Sequence, residues 1–410
     1  MRNVRDYAVV SGAYWAFTLT DGALRMLVLL HLHRLGYSPM QVASMFLFYE
    51  FFGVVTNFVG GWLGARFGLK STLFAGLSLQ VVACALLAWR SEHLSIPLVM
   101  ATQALAGVAK DLTKMSSKSF IKQVVPEGDA RGLMKWVAVL TGSKNALKGV
   151  GFFMGGALLA SVGFRGACSG MAIGLVLAVV VATLMLPRAV GKAKEVSLKR
   201  LVTKDARVNW LSAARLFLFG SRDVWFVLAL PIYFVAELGW THPQVGGFMA
   251  TWVIFYGVVQ ALAPAWITGR RRETPTGRRL IGWTGGLIVP LGIMLVLLNA
   301  GCAPEVVLTI GLFVYGAIFA ANSAVHSFLI VKYSDRDDVA LNVGFYYMAN
   351  AAGRLLGTVL SGAVFQAAGL GMDGLRACLV ASFVMVLVSA VLCEPLGRAE
   401  EARNVTAGGE

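Results

Sequence analysis

Residues 39–64 read PMQVASMFLFYEFFGVVTNFVGGWLG and hold one charge, Glu50. A run this long and apolar is what a helix needs to cross a bilayer, about 20 residues at about 1.5 Å each. Its landmarks return later in the chain. Pro39, Gln41-Val42, Gly53-Val54-Val55 and Trp62 reappear as Pro243, Gln244-Val245, Gly257-Val258-Val259 and Trp266. Ser119-Phe120 recurs as Ser327-Phe328, and Lys148 followed by Gly151 and Gly156 recurs as Arg354 followed by Gly357 and Gly362. Every match holds an offset between 203 and 208 residues, so the chain reads as a duplication of membrane-crossing helices.

The composition agrees. Of 410 residues, 57% are hydrophobic and 14% charged, with a mean hydropathy of +0.71. A soluble domain runs about 45–50% apolar and about 25% charged, which excludes a soluble enzyme; the scarcity of proline and the aperiodic glycines exclude disordered and collagen-like chains. Twelve transmembrane helices are expected near 7–33, 39–64, 71–89, 96–121, 136–161, 166–187, 209–237, 243–268, 280–299, 305–331, 339–368 and 376–394. No cleavable leader is expected, because the first apolar run is long and has no small-residue cleavage motif. Alternate connections carry the basic residues. One side holds Arg2, Arg5, Arg66, Lys70, Lys122, Arg131, Lys135, the stretch from Arg188 to Arg207, Arg270, Arg271, Arg272, Arg278, Arg279, Lys332, Arg336, Arg398 and Arg403; the other holds Arg34, Arg90, Arg165 and Arg376. The positive-inside rule then puts both termini and the long middle loop in the cytoplasm, and the net charge of +15 reflects topology, not nucleic-acid binding. The expected organisation is a six-helix bundle over 1–188, a basic cytoplasmic linker over 189–208, a second six-helix bundle over 209–396 and a tail over 397–410. This all-α polytopic pattern, two six-helix repeats in parallel, is that of the major facilitator transporters.

The charges within the spans point to function. The first, fourth, fifth, seventh and eleventh segments hold Asp21 and Arg25; Lys110, Asp111, Lys114 and Lys118; Lys144 and Lys148; Arg215, Arg222 and Asp223; and Arg354. Glu50 lies in the second and His326 near one end of the tenth. A charge at the bilayer centre costs about 2.5–3.5 kcal/mol on insertion scales, so these residues must line a polar interior. Cations outnumber acids, which asks for an anionic substrate from outside, with more than one negative group. Lys110, Lys114 and Lys118 share one helix face at i, i+4, i+8, and Lys144 and Lys148 repeat the spacing. Lys110, Lys148, Arg222 and Arg354 fall ~20 Å from their helix starts, near the midplane. They form the expected two-sided clamp, with Lys114, Lys144, Arg25 and Arg215 beside them; the bland alternative is pairing with Asp111, Asp223 or Glu50. Lys118 is expected to snorkel to the cytoplasmic surface. Asp21 and Arg25 form a local i, i+4 pair, and Asp21 and Glu50 are the coupling candidates. Cys84, Cys168, Cys302, Cys378 and Cys393 read as small core residues. No metal-ligand spacing, cofactor fingerprint or catalytic motif is present, so no metal, cofactor or enzymatic activity is expected.

Five runs narrow the resemblance: YWAFTLTDGALR (14–25), FYEFFGVVTN (48–57), AKDLTKMS (109–116), LTGSKNALKG (140–149) and GSRDVWF (220–226). They resemble the ArsJ permeases, organoarsenical efflux members of the major facilitator superfamily. The resemblance implies a substrate, 1-arseno-3-phosphoglycerate, made when a glyceraldehyde-3-phosphate dehydrogenase uses arsenate in place of phosphate. It implies a monomeric exporter in a bacterial inner membrane, with that dehydrogenase as functional partner. A pentavalent oxyanion needs no thiol ligand, in keeping with the scattered cysteines. The stretch Gly61 to Lys70 (GWLGARFGLK) resembles the superfamily's loop motif, with Ala65 where the family has aspartate. The alternative reading is a proton-coupled transporter or antiporter of another organic phosphate or a drug.

Overall fold

The computed structural model describes residues 2–35, 47–186, 205–268 and 273–407. The start of the second expected span, most of the basic linker, Arg270 to Arg272 and the Glu50 side chain lie outside the described residues. The described residues are helical almost throughout. The helices are α1 (Arg2–Arg34), α2 (Leu47–Phe67), α3 (Leu69–Trp89), α4 (Ile96–Val124), α5 (Ala130–Met185), α6 (Ala206–Phe226), α7 (Ala229–Ala236), α8 (His242–Ile267), α9 (Arg279–Gly285), α10 (Ile288–Asn299), α11 (Pro304–Tyr333), α12 (Val339–Ala367) and α13 (Gly371–Ala407). Among the described residues, seven helical stretches are long and apolar enough to cross a membrane by length and composition.

Three interruptions reconcile these helices with twelve crossings. At ~1.5 Å per residue α5 is far longer than a ~30 Å hydrocarbon core, so it crosses twice. It breaks at Gly163, whose φ of 70° and ψ of 178° only glycine adopts readily. The sequence places its gap between the fifth and sixth spans at this point. The other two interruptions lie inside single crossings, between α6 and α7 and between α9 and α10. Helix starts carry their own caps. Ser95 Oγ accepts from the Leu98 amide, Asp129 from Gly132, and Asp205 from Arg207.

The chain divides into two compact units. The first is Met1–Val202 with Ser334–Met348, and the second is Thr203–Tyr333 with Ala349–Glu410. The sequence places 334–348 in the second bundle. They fall with the first because α12 meets α2 at a glycine crossing: a Cβ on Gly61 would lie 2.8 Å from the Ala340 carbonyl oxygen and 3.2 Å from Gly344 Cα. In the first unit Lys70, the base that closes the loop motif, donates to the Leu186 carbonyl at 2.6 Å. In the second unit α13 continues as helix through 397–407, the stretch set apart as a tail. There buried Glu400 accepts from the Gly277 amide at 2.5 Å and from Lys332 Nζ at 3.0 Å. Four of the five cysteines are buried as expected. Cys302 is exposed, because it sits in the turn after Gly301 (φ 77°) between α10 and α11.

Each unit is built on the same close helix pair. In the first, α1 lies against α5: a Cβ on Gly151 would sit 2.6 Å from the Leu19 carbonyl oxygen, and one on Gly155 2.3 Å from that of Ala23. In the second, α6 lies against α12: a Cβ on Gly353 would sit 2.0 Å from the Leu216 carbonyl oxygen, and one on Gly357 2.6 Å from that of Gly220. Small residues let the backbones touch where apolar bulk would hold them apart. Gly353→Ala is therefore expected to destabilise the purified protein by about 1–3 kcal/mol through overpacking, read as a lowered melting temperature. Gly170→Ala, which meets nothing within 4 Å, is the matched control and should leave the melting temperature unchanged or slightly raised.

Candidate functional site

The close approach of α1 and α5 brings Lys148 to Asp21, Nζ to Oδ2, at 3.7 Å. The close approach of α6 and α12 brings Arg354 to Asp223, Nε to Oδ2, at 3.1 Å. The two cations are repeat-related in sequence, and each pairs with an acid on the first helix of its own repeat. Both carboxylates are buried: Asp21 is 5% and Asp223 0% exposed.

In the first unit the organising side chain is Tyr49, on α2 and 1% exposed. Its hydroxyl donates to Asp21, 2.9 Å from both carboxylate oxygens. Its ring lies beneath three cations: Lys110 Nζ is 3.9 Å, the Arg25 guanidinium 4.6 Å and Lys148 Nζ 5.8 Å from the centroid. Asp111 adds a second carboxylate, bridging Lys114 and Lys110, the latter at 3.6 Å. Gly53 leaves room for it, since a Cβ there would sit 2.8 Å from Asp111 Oδ2. Lys114 and Lys118 lie over the ring of Tyr347, at 4.3 and 4.9 Å. Lys118 does not snorkel. Its side chain is 1% exposed and turned inward onto that ring. Lys144 is half-buried, one helical turn before Lys148.

The second unit uses guanidinium groups. Asp223 takes Arg222 at 2.5 Å as well as Arg354. Arg215, 2% exposed, donates to Asn350 Oδ1 at 2.9 Å and Ser323 Oγ at 3.1 Å, and Gln260 donates to the same Ser323 at 3.1 Å. Phe219 takes the position of the aromatic platform. Arg215 lies 3.8 Å and Arg222 5.0 Å from its ring centroid. His326 lies one turn beyond Ser323 on α11, fully buried, and among the described residues neither ring nitrogen has a hydrogen-bond partner.

The sequence-derived residues thus gather into two clusters, one per unit. Arg25, Lys110, Lys114, Lys148, Asp21 and Asp111 belong to the first, and Arg215, Arg222, Arg354 and Asp223 to the second. The pairing read as the bland alternative is present, since each of the three aspartates is held by a cation. Instead of a self-contained pair on one helix face, Asp21 and Arg25 meet through Tyr49. Among the described side chains the first cluster gathers four cations and two carboxylates, and the second three cations and one carboxylate. Tyr49, Phe219 and Tyr347 escaped the sequence reading, because an aromatic in an apolar span looks like core. The available signal was Tyr49 standing beside Glu50 in a span otherwise free of charge.

The family model of the Major Facilitator Superfamily matches residues 10–232, more than half of the chain. The chain belongs to the major facilitator superfamily. It is a multi-pass secondary transporter of the alternating-access type, not a member of an enzyme family. Solved superfamily structures share this fold over nearly the whole length. A bacterial homologue of the iron transporter ferroportin in an outward-facing state aligns with a TM-score of 0.74 at 13% identity, covering 95% of this chain and 99% of that one. FucP in the outward conformation gives 0.74 at 14% identity, with 96% and 99% covered. The human organic anion transporter MFSD10 (TETRAN) gives 0.72 at 15% identity, with 95% and 99% covered. No curated protein sequence matches the chain.

The Asp223 pairing generates a stability test. Removing one partner of a buried ion pair leaves an uncompensated charge and costs about 3–5 kcal/mol. Asp223→Asn strands two arginines and is expected to lower the melting temperature sharply. Arg354→Gln leaves Asp223 with Arg222 and should cost clearly less. Thermal unfolding of the two purified variants checks the order.

Proposed function

We propose that this transporter exports an anionic organoarsenical, 1-arseno-3-phosphoglycerate, and so confers arsenate resistance. The observation that supports this reading is the gathering of cations around buried carboxylates in each unit. The first unit brings Arg25, Lys110, Lys114 and Lys148 to Tyr49, Asp21 and Asp111, the second brings Arg215, Arg222 and Arg354 to Phe219 and Asp223, and positive potential gathered at such buried places favours an oxyanion. The proposed ligand has a phosphate at one end and an arseno group at the other, and both are oxyanions. Arg222 and Arg354 suit a tetrahedral oxyanion because a guanidinium presents two parallel donors, whereas Lys110, Lys114 and Lys148 act as point charges. Arg25, Arg215 and Lys144 supply further positive potential. The similarity to a human organic anion transporter is consistent with this substrate class.

In this reading a glyceraldehyde-3-phosphate dehydrogenase makes the substrate in the cytoplasm. The transporter acts as a monomer in a bacterial inner membrane with both termini inside. Efflux of an anion is favoured by an inside-negative potential, by about 2.3 kcal/mol per charge per 100 mV. Asp21, Asp111, Asp223 and Glu50 balance the cations between cycles.

Everted membrane vesicles test the proposal. Arsenate supplied with the dehydrogenase, its triose phosphate and oxidised nicotinamide cofactor should accumulate inside, and arsenate alone should not. Lys110→Ala and Arg354→Ala should each reduce accumulation at least tenfold while inserting normally. Equal uptake from arsenate alone, or full transport by both variants, refutes this substrate. Uptake of a different phosphate ester under the same conditions would favour the organic-phosphate alternative.

A further inference from the structure

The second unit carries a cleft of about 600 Å³ at one end of α13, within the size range of small-ligand sites. Arg278, the residue before α9, and Ile281 form one wall, and one face of α13 from Ala390 to Glu401 forms the other. The walls are fixed against each other. A Cβ on Gly397 would lie 3.3 Å from Arg278 Cα, so α13 touches the segment that enters α9. One residue earlier, the Gly277 amide donates to buried Glu400 of α13 at 2.5 Å. The cleft also straddles a change of surface. Val380, Val384, Leu387 and Val391 are exposed along one face of α13, at i, i+4, i+7 and i+11, and the same repeat continues as exposed Glu394, Arg398 and Glu401. An exposed apolar stripe on a helix long enough to cross a bilayer faces lipid tails, and the charges that follow it face headgroups and water. Trp266 at the end of α8 and Trp283 near the start of α9, ring centroids 6.0 Å apart, stand at this same end of their helices, where tryptophan gathers in membrane proteins. Ile281, Ala390 and Val391 therefore lie at tail depth and the charged rim at headgroup depth.

The rim has a definite sign pattern. Arg278 Nη1 meets Glu401 Oε1 at 3.0 Å, and Arg398 Nη2 meets Glu394 Oε1 at 2.5 Å. Each arginine commits one nitrogen of its fork to these contacts. Both arginine side chains are more than three-quarters exposed and both glutamates more than half, and pairs this exposed hold weakly, so their members can turn to a competing ion. Two bases and two acids leave the rim without net charge. An anionic headgroup would be drawn to the arginines and repelled by the glutamates, whereas a zwitterion satisfies both. Phosphate oxygens suit the guanidinium fork. A carboxylate takes a primary ammonium by hydrogen bonds that a quaternary ammonium has no N–H to supply. We propose that this cleft binds one glycerophospholipid with a phosphoethanolamine headgroup. Its phosphate lies on Arg278 and Arg398, its ammonium on Glu394 and Glu401, and an acyl chain runs down the stripe of Val391, Leu387 and Val384. The bound headgroup staples the start of α9 to α13 at the membrane surface. None of these residues belongs to the charge cluster around Asp223, and the inference rests on the chain's place in a membrane, not on the organoarsenical.

Lipid titration of the delipidated full-length protein in detergent tests this, with thermal unfolding as the readout. Phosphatidylethanolamine, phosphatidylglycerol and phosphatidylcholine with identical short acyl chains are the probes. Phosphatidylethanolamine is expected to raise the melting temperature at concentrations about tenfold below those the other two require. Glu394→Gln combined with Glu401→Gln leaves only the arginines on the rim and should invert the order, making phosphatidylglycerol the better ligand. Arg278→Gln combined with Arg398→Gln should weaken the phosphatidylethanolamine response by about tenfold. Glu273→Gln removes an exposed carboxylate that pairs with Arg279 outside the cleft and should keep the parental order. The substituted side chains are exposed, so every variant is expected to fold, and its own lipid-free melting temperature is the reference. Equal responses to the three lipids in the parent, the parental order in the glutamate double variant, an undiminished response in the arginine double variant, or the same inversion in Glu273→Gln would each overturn the proposal.

Discussion

A carboxylate cannot stay ionised in hydrocarbon without a cation within reach, and a cation cannot reach it unless the helices that carry them nearly touch. That pair of requirements governs both units. The glycines at 151 and 155, and at 353 and 357, bring the helix backbones together, and Lys148–Asp21 and Arg354–Asp223 form beside those contacts. The ion pair and the small residues are one device written twice. It explains why cation and glycine travel together through the duplication: either alone would leave a buried charge or a gap.

The duplicated halves have nonetheless diverged in chemistry. The first gathers two ammonium groups and the Arg25 guanidinium on a tyrosine, beside two carboxylates. The second gathers guanidinium groups on a phenylalanine around a single carboxylate, with Asn350 and Ser323 fixing Arg215. Ammonium is compact and strongly hydrated, while guanidinium is planar and directional. Helix breaks add to the asymmetry: α6 stops three residues after Asp223, whereas α1 runs on unbroken for more than three turns past Asp21.

Much of the architecture could be read from the chain because hydropathy and charge are one-dimensional signals. The twelve spans, the break at Gly163 and the repeat all follow from where apolar runs stop and landmarks return. The membership of the clusters was legible too, since a charge in a span has few places to go. Their internal wiring was not. Asp21 and Arg25 looked like a self-sufficient pair on one helix face, but Asp21 is shared with Tyr49 and Lys148 from other helices. Lys118 looked long enough to reach water, but Tyr347 gives its ammonium a nearer home. The assignment of residues 334–348 to the first unit also depends on a contact between distant glycines, which spacing along the sequence does not encode. In each case the deciding partner lies far along the chain and is aromatic or small.

Cys302 stands apart from the other thiols. Burial blocks access, so four of the five are chemically quiet, while this one is exposed in the turn between α10 and α11. The native molecule therefore carries one addressable thiol on a loop remote in sequence from both charge clusters. A spin label or fluorophore attached there could report on the second unit without first stripping the protein of its cysteines.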